Sequence, residues 1–252
     1  MRPLATIALT TFNNAKFVRQ AVQSALAQDY SPLEILISDD ASQDDTVAIV
    51  REMLRDYKGP HQVRVLVNER NLGVGAHTDR LGAMARGEMV FLAAGDDIDR
   101  PDRVSRIMDV YVAAQGRVTA VSAASTQIDE EGQEIGAMPQ PLTEFSLRNV
   151  VLEGAPLIGP AAYSARVFKE FAPMGGAVMA GEDLVLALRA ALVGEIVVLP
   201  TPVSFYRQHG ASLMGQSNAR SLSPKSYRRG LQRLLSGFAA ARETQLRDYL
   251  DY

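Results

Sequence analysis

The chain has 252 residues, 47% hydrophobic and 22% charged, the balance of a globular protein rather than a disordered or fibrous one. It has no cysteine, which excludes a disulfide scaffold, a thiolate nucleophile, a cysteine zinc site and an iron–sulfur cluster. With 26 Lys and Arg against 29 Asp and Glu, the net charge is −3, so no global basic field invites nucleic acid.

The first apolar stretch, residues 4–9, is too short and too soon followed by Thr11, Asn13 and Asn14 for a secretory core, and it reads as a strand. Phe17, Val18, Ala21, Val22, Ala25 and Leu26 then recur at helical spacing, with Asn13 or Asn14 placed to cap the helix. A second strand is expected at 33–38. The next helix carries Val47, Val50, Met53, Leu54 and Tyr57 and is entered by Ser42-Gln43-Asp44-Asp45, whose Ser and Asp have capping-box spacing. A strand at 62–67, a turn at Asn71-Leu72-Gly73, a helix ending near Arg86-Gly87, and strands at 89–93 and 118–123 follow. This alternation predicts an α/β fold: a mostly parallel, doubly wound sheet with helices on both faces.

Residues 125–160 contain Gly132, Gly136, Pro139, Pro141, Gly154, Pro156, Gly159 and Pro160 without a clean period, which predicts loops and short elements that shape a site. A helix at 182–193, a strand at 195–199 and a loop through Arg207-Gln208-His209-Gly210 come next. The apolar stretch 184–199 is broken by Arg189 and Glu195 and falls short of the ~20 residues of a membrane span. From Pro224 the pattern is a basic amphipathic helix or pair of helices. Leu231, Leu234, Leu235 and Phe238 lie on one face, with Lys225, Arg228, Arg229 and Arg233 nearby. That tail suits packing on the domain, a homodimer contact, or peripheral contact with an anionic membrane surface. The chain is expected to be cytoplasmic, soluble or peripheral at the inner face of a membrane.

In an open parallel sheet, ligands bind beyond the carboxyl ends of the strands. Asp39-Asp40 follows the second strand and Asp96-Asp97 the fourth. Adjacent carboxylates repel, a cost offset when a cation or donor sits between them, and a magnesium-like ion is commonly held by one or two carboxylates plus substrate phosphates. The first pair is explained equally well as helix-capping acids. Glu182-Asp183 opens a helix after a glycine-rich stretch, which suits either a favourable N-terminal charge or a general base. Arg207 and His209 offer a diphosphate-pairing guanidinium and an imidazole ligand.

Taken in order, Thr10-Thr11-Phe12-Asn13, Gln28-Asp29-Tyr30, the run from Glu34 to Ser42, Asp44-Asp45-Thr46, Asn71-Leu72-Gly73, Ala85-Arg86-Gly87-Glu88, Asp96-Asp97 with Pro101, Gly181-Glu182-Asp183 and Tyr206-Arg207-Gln208-His209 resemble the family 2 glycosyltransferases. These are inverting enzymes with the glycosyltransferase A-type fold, and the resemblance covers residues 4 to about 210. It implies a catalytic domain at 1–221, with a nucleotide-binding half at about 1–124 and an acceptor half at about 125–221, followed by the tail at 222–252. It places Thr10, Thr11 and Asn13 near the donor nucleotide, Asp39 on the base with Asp40 close by, and Asp96 by the ribose. Asp97 and His209 would bind a divalent metal (Mn or Mg), Arg207 would lie by the diphosphate, and Asp183 would deprotonate the acceptor with Glu182 orienting it. The implied partners are a nucleotide-sugar donor, UDP- or dTDP-linked, and a glycan or lipid-linked acceptor in bacterial polysaccharide or lipopolysaccharide synthesis. Two positions depart from the pattern. Ala94 stands where an acid is common, and Thr78-Asp79 stands where Arg-Asn is common, which leaves His77 or Arg80 as substitutes or a donor phosphate held differently.

Two other readings compete. A sugar-phosphate nucleotidylyltransferase needs a glycine-rich basic loop after the first strand, and residues 10–17 have no glycine or arginine. A sugar-nucleotide-binding pseudoenzyme is suggested by Ala94, and the presence of Asp97 with Asp183 argues against it.

Overall fold

Alternate side chains of β1 (Ala5–Thr11) enter different cores. Ile7 and Leu9 pack with Ile35, Ile37 and Phe91 beneath Val18, Val22, Val50, Val104 and Ile107, while Ala8 joins Leu36, Val90 and Leu81 on the opposite face. A strand buried on both faces is what a parallel sheet clad by helices requires. The computed structural model describes residues 1–138, 145–153, 159–178, 181–210 and 224–252. Pro139, Pro141, Gly154 and Pro156 lie outside these residues, as do the side chains of Lys225, Arg228, Arg229, Leu231, Arg233, Leu234, Leu235 and Phe238.

β2 (Leu33–Asp39), β3 (Gln62–Val67) and β4 (Met89–Ala94) lie parallel to β1 in the order β3-β2-β1-β4. They are linked by α1 (Val18–Leu26), α2 (Thr46–Leu54) and α3 (Val74–Met84). Pairing sets Thr11 beside Asp39 and Thr10 beside Ala94, so the carboxyl ends of β1, β2 and β4 share one rim. Strand order reverses about β1, where a crevice for ligands is expected.

The second half makes the sheet mixed. β8 (Ala161–Ser164) runs against both β4 and β6 (Val118–Ile128). β9 (Glu195–Arg207) lies parallel to β6, and β5 (Ile98–Asp99) and β7 (Glu134–Ala137) pair antiparallel to β9 and β6. Among the described residues the sheet has nine strands. The expected strands at 118–123 and 195–199 are therefore too short. Beyond Ala123 the polar Ser125, Thr126 and Gln127 continue β6, and Pro202 sits in β9 opposite Ala124 where the register shifts, the kind of irregularity that accommodates proline.

α4 (Arg103–Ala113) covers the first core, and α5 (Leu147–Glu153), α6 (Arg166–Lys169) and α7 (Glu182–Val193) surround the second. The tail forms a single helix, α8 (Pro224–Asp251), whose Ala241 joins the second core beside α7. No helix among the described residues is long and apolar enough to cross a membrane.

Two capping expectations fail. Neither α1 nor α2 has a side-chain cap at its N-cap residue, Phe17 or Asp45. The polar groups read as caps instead tie the loops together: Asn14 Oδ1 accepts from Phe12 N, and Ser42 donates to Asp39 rather than boxing with Asp45. The Glu34 and Arg86 motifs meet at the other end of the sheet, where buried Glu34 accepts from Thr6 Oγ1 (2.8 Å), Arg86 N and Arg86 Nε (2.6 Å). Burial alone would raise the Glu34 pKa, but these donors hold it below the usual range.

Candidate functional site

The rim of the first half is stitched by side chains. Asp39 Oδ1 accepts from Ser42 N (2.8 Å), and Oδ2 accepts from Ser42 Oγ (2.5 Å) and Thr11 Oγ1 (2.9 Å). Ser42 Oγ in turn accepts from Asn13 N, and Asn13 Oδ1 accepts from Gln43 N, both at 2.8 Å. Asn13 and Ala41 hold φ of 53° and 64°, a sparsely populated region for non-glycine residues. Asp40 points elsewhere: its carboxylate accepts from Asn68 Nδ2, Leu72 N and Gly73 N at 2.8, 2.8 and 3.1 Å, anchoring the turn before α3. Thr10 Oγ1 donates to Ala93 O at 3.2 Å and lines the cleft. Phe12, the residue after β1, is 46% exposed.

The turn after β4 carries the second acidic pair. A Cβ on Gly95 would lie 2.8 Å from Asn14 Oδ1 and 2.9 Å from Thr11 Cγ2, so only glycine brings this turn so close to β1. Asp97 Oδ1 accepts from Arg207 N at 2.9 Å, and Asp96 Oδ2 pairs with His209 Nε2 at 2.9 Å. Burial, then the neighbouring Asp96, pushes the Asp97 pKa well up. That is the electrostatic situation a divalent cation reverses.

Arg207 is not placed as a diphosphate-pairing group. It is 1% exposed. Nε donates to Asp96 O (2.9 Å), NH1 to Asp129 O and Glu130 O (3.0 Å each), and NH2 to Gln20 Oε1 (2.6 Å). The guanidinium also sits 4.9 Å from the Phe17 ring, with the His209 ring 4.7 Å from the same residue. Burial and this full set of acceptors make Arg207 the tie between the Asp96-Asp97 turn, the β6–β7 turn and α1.

A cleft of about 200 Å³ links this rim to the second half, lined by Thr10, Thr78, Asp97, Asp99, Glu182 and Tyr206 among others. Gly181, at φ 83°, starts α7, and the left-handed turn suits glycine. Burial, then Asp183, raises Glu182 to about 7, and burial raises Asp183 to about 6. Asp183 Oδ1 accepts from Leu184 N at 2.9 Å, and Glu182, not Asp183, is on the cleft wall. Neighbouring Tyr163 is raised by burial and then by these acids, and Tyr206 by burial and then by Asp97 and Asp96.

The structure adds Asp99, Arg103 and Tyr206 to the candidates named from sequence. Arg103 NH1 bridges both Asp99 oxygens at 2.8 Å in a buried pair on the cleft wall. Their four-residue spacing was the available signal. Of the suggested substitutes at the Arg-Asn position, His77 turns inward onto Ser38 Oγ (2.7 Å) and its pKa is lowered by burial, and Arg80 is exposed. Thr78 reaches the cleft, and Asp79 accepts from Gly175 N at 2.9 Å.

Among the described residues no three acidic or histidine groups converge into a complete cation cage. Asp97, with one oxygen bonded to Arg207 N and its place on the cleft wall, fits an ion shared with a phosphate ligand rather than one enclosed by protein.

The sequence matches the Glycosyl transferase family 2 profile over residues 6–163. The chain belongs to this family. A glycosyltransferase of Nostoc sp., named as uncharacterized, is 24% identical over 82% of this chain and 65% of its own length. The Escherichia coli chondroitin synthase is 31% identical over 53% of the chain and 19% of its length, and the Rhizobium meliloti succinoglycan biosynthesis protein ExoO is 27% identical over 84% and 62%. The chain thus spans less than two thirds of each of these relatives. Staphylococcus aureus TarS 1-349, solved with UDP-GlcNAc, superposes with TM-score 0.67 at 20% identity, covering 91% of this chain and 64% of that one. The Pyrobaculum calidifontis mannosyltransferase PcManGT, solved with GDP-Man and Mn2+, gives 0.64 at 17%, covering 98% and 74%. This family 2 glycosyltransferase therefore shares their fold.

Proposed function

We propose that the chain is an inverting, metal-dependent glycosyltransferase that moves a sugar from a UDP- or dTDP-linked donor to a hydroxyl of a glycan or lipid-linked acceptor in bacterial polysaccharide or lipopolysaccharide synthesis. The observation that carries this reading is that Asp97 and Glu182, one in the turn after β4 and one at the start of α7, line the same cleft. Two relatives are named for polysaccharide products, chondroitin and succinoglycan.

In this reading Thr10, Thr11, Asn13, Asp39 and Phe12 receive the nucleoside, with Asp96 at the ribose. Asp40 acts by fixing the turn before α3. Asp97, with His209 beside it, would hold a divalent cation together with the diphosphate, and such a cation neutralises charge on the departing phosphate. Asp183 takes the proton of the acceptor hydroxyl as its oxygen attacks the anomeric carbon. The bond from that carbon to the diphosphate oxygen breaks, and the electron pair leaves with the nucleoside diphosphate. A carboxyl raised toward neutrality is well matched to this task. A single displacement inverts the anomeric centre and needs no covalent nucleophile.

A second assignment, with Glu182 as the base and Asp183 orienting it, is favoured by the place of Glu182 on the cleft wall. The test is a panel of UDP-, dTDP-, GDP- and CDP-sugars with Mn2+ and simple glycan acceptors, with anomeric configuration read by proton NMR. One donor class giving an inverted product supports the proposal; retention of configuration, or nucleotide binding without transfer or hydrolysis, overturns it. Asp183→Asn and Glu182→Gln then identify the base.

A further inference from the structure

The C-terminal helix bears on the helix that carries Glu182 and Asp183. Arg189 of α7 is 1% exposed. Its Nε donates to Asp248 Oδ2 of α8 at 2.7 Å and its NH2 to Ala172 O at 2.6 Å. The same guanidinium lies 5.2 Å from the Phe171 ring, which stacks on Tyr252 with centroids 5.6 Å apart. Nearer the front of α7, Gln245 Nε2 donates to Leu184 O, one residue after Asp183. Asp248 and Gln245 are both buried.

The approach to α7 is held from two sides. Ala172 O is bonded by Arg189, while Gly175 N donates to Asp79 Oδ2 at 2.9 Å and Val178 O accepts from Gly75 N at 3.0 Å. The far end of α7 is tied by Thr119 Oγ1, which donates to Ala190 O at 2.7 Å, and by Arg166 NH1, which donates to Val193 O at 2.8 Å, while the stretch nearer Glu182-Asp183 is seated on apolar contacts, with Val185, Leu186, Ala187 and Leu188 in the second core. Apolar contacts stabilise a helix without fixing its rotation sharply, because they are not directional. The Arg189–Asp248 and Gln245–Leu184 bonds are directional, and a buried ion pair is better understood as a device for register than as a large source of stability. Arg189 lies seven residues from Glu182, roughly 10 Å along the helix axis, too far for contact through one side chain but linked by rigid helix.

We propose that Arg189, Gln245 and Asp248 are positioning residues that set the rotation and axial register of α7, so that α8 belongs to the catalytic apparatus. This rests on the reading of Glu182-Asp183 as the catalytic end. A misplacement of about 1 Å in a reacting group can cost on the order of 100-fold in rate, so small shifts of α7 matter.

The test uses the full chain and two variants, Asp248→Asn and the uncharged change Gln245→Leu, with Asp248→Glu as the conservative control. Amide hydrogen exchange is read at residues 184–188 and in β1, β2 and β4. In the same samples, UDP and dTDP affinity with Mn2+ and the kcat and donor KM of turnover are measured. Expected are at least 10-fold faster exchange at 184–188 with β1, β2 and β4 unchanged, nucleotide affinity within twofold, and kcat down at least 10-fold at constant KM. Asp248→Glu should recover part of the loss. Unchanged exchange at 184–188 in Gln245→Leu, or a uniform rise across both halves, would overturn the proposal, as would an unchanged kcat. Absence of turnover in the unaltered chain would instead strike the catalytic reading, and the exchange data would still decide whether α8 sets α7.

Discussion

The two halves of the cleft are built by different means. On the β1–β4 side, acids and hydroxyls sit at strand ends and bond to one another across loops, as in the chain from Thr11 through Asp39 and Ser42 to Asn13. On the α7 side, Glu182 and Asp183 stand in a largely apolar setting, and their titration is shifted by burial. The first half is pre-organised by hydrogen bonds and suits binding of a polar ligand. Burial raises Asp97 on the first side too, where a cation would offset it, whereas on the second side Glu182 and Asp183 are held near neutrality and suit proton transfer. This contrast supports the proposed division: the first half holds the donor and the second carries out the chemistry.

The largest effect that would sharpen the division is expected at the base. Asp183→Asn should lower kcat by about 1,000-fold, within the usual range for a general base, while nucleotide binding stays within twofold. If Glu182→Gln gives that loss and Asp183→Asn does not, the roles exchange. Single-turnover transfer at saturating donor reads both.

Arg207 probes the join between the halves. As a tie it needs its planar fork, so Arg207→Lys should destabilise nearly as much as Arg207→Gln, each by roughly 3 kcal/mol for buried acceptors left unpaired. As a diphosphate ligand it would need mainly charge, and Lys would preserve most UDP affinity. Urea unfolding and nucleotide titration of the two variants separate these cases.

A smaller effect concerns pH and stability. The raised pKa of Glu182 in the folded chain means that the native state binds more protons than the unfolded one between about pH 4 and 7. Stability should therefore fall as pH rises through that window. Glu182→Gln removes the penalty, so its Tm should exceed that of the unaltered chain at pH 8, by roughly 2–4 °C for each kcal/mol relieved. The difference should vanish below pH 4, and a lower Tm at pH 8 would contradict the burial argument. Activity should show the opposite limb, rising with pH as the base loses its proton near 6 to 7.

The first half was legible because its signals are local. Two-faced apolar strands and helical spacing give β1 to β4 and α1 to α3, and the acids at strand ends follow from strand position. The second half was read less well because its signals are distant. β6 and β9 continue as polar or proline-bearing strands, which carry no apolar alternation. The pairing of Arg189 with Asp248 joins residues 59 apart in sequence, and nothing near either one announces the other. The burial of Arg207 was hidden for the same reason: its acceptors come from α1, the β4–β5 turn and the β6–β7 turn. An arginine in a loop looks free to meet a phosphate until those three segments are assembled.

The division of labour is tested most directly by calorimetric titration of UDP and dTDP, with and without Mn2+, into the unaltered chain, Asp97→Asn and Asp183→Asn. The account predicts metal-dependent binding that Asp97→Asn weakens at least 10-fold and Asp183→Asn leaves within twofold. Binding unaffected by Asp97→Asn, or weakened equally by both variants, would contradict it.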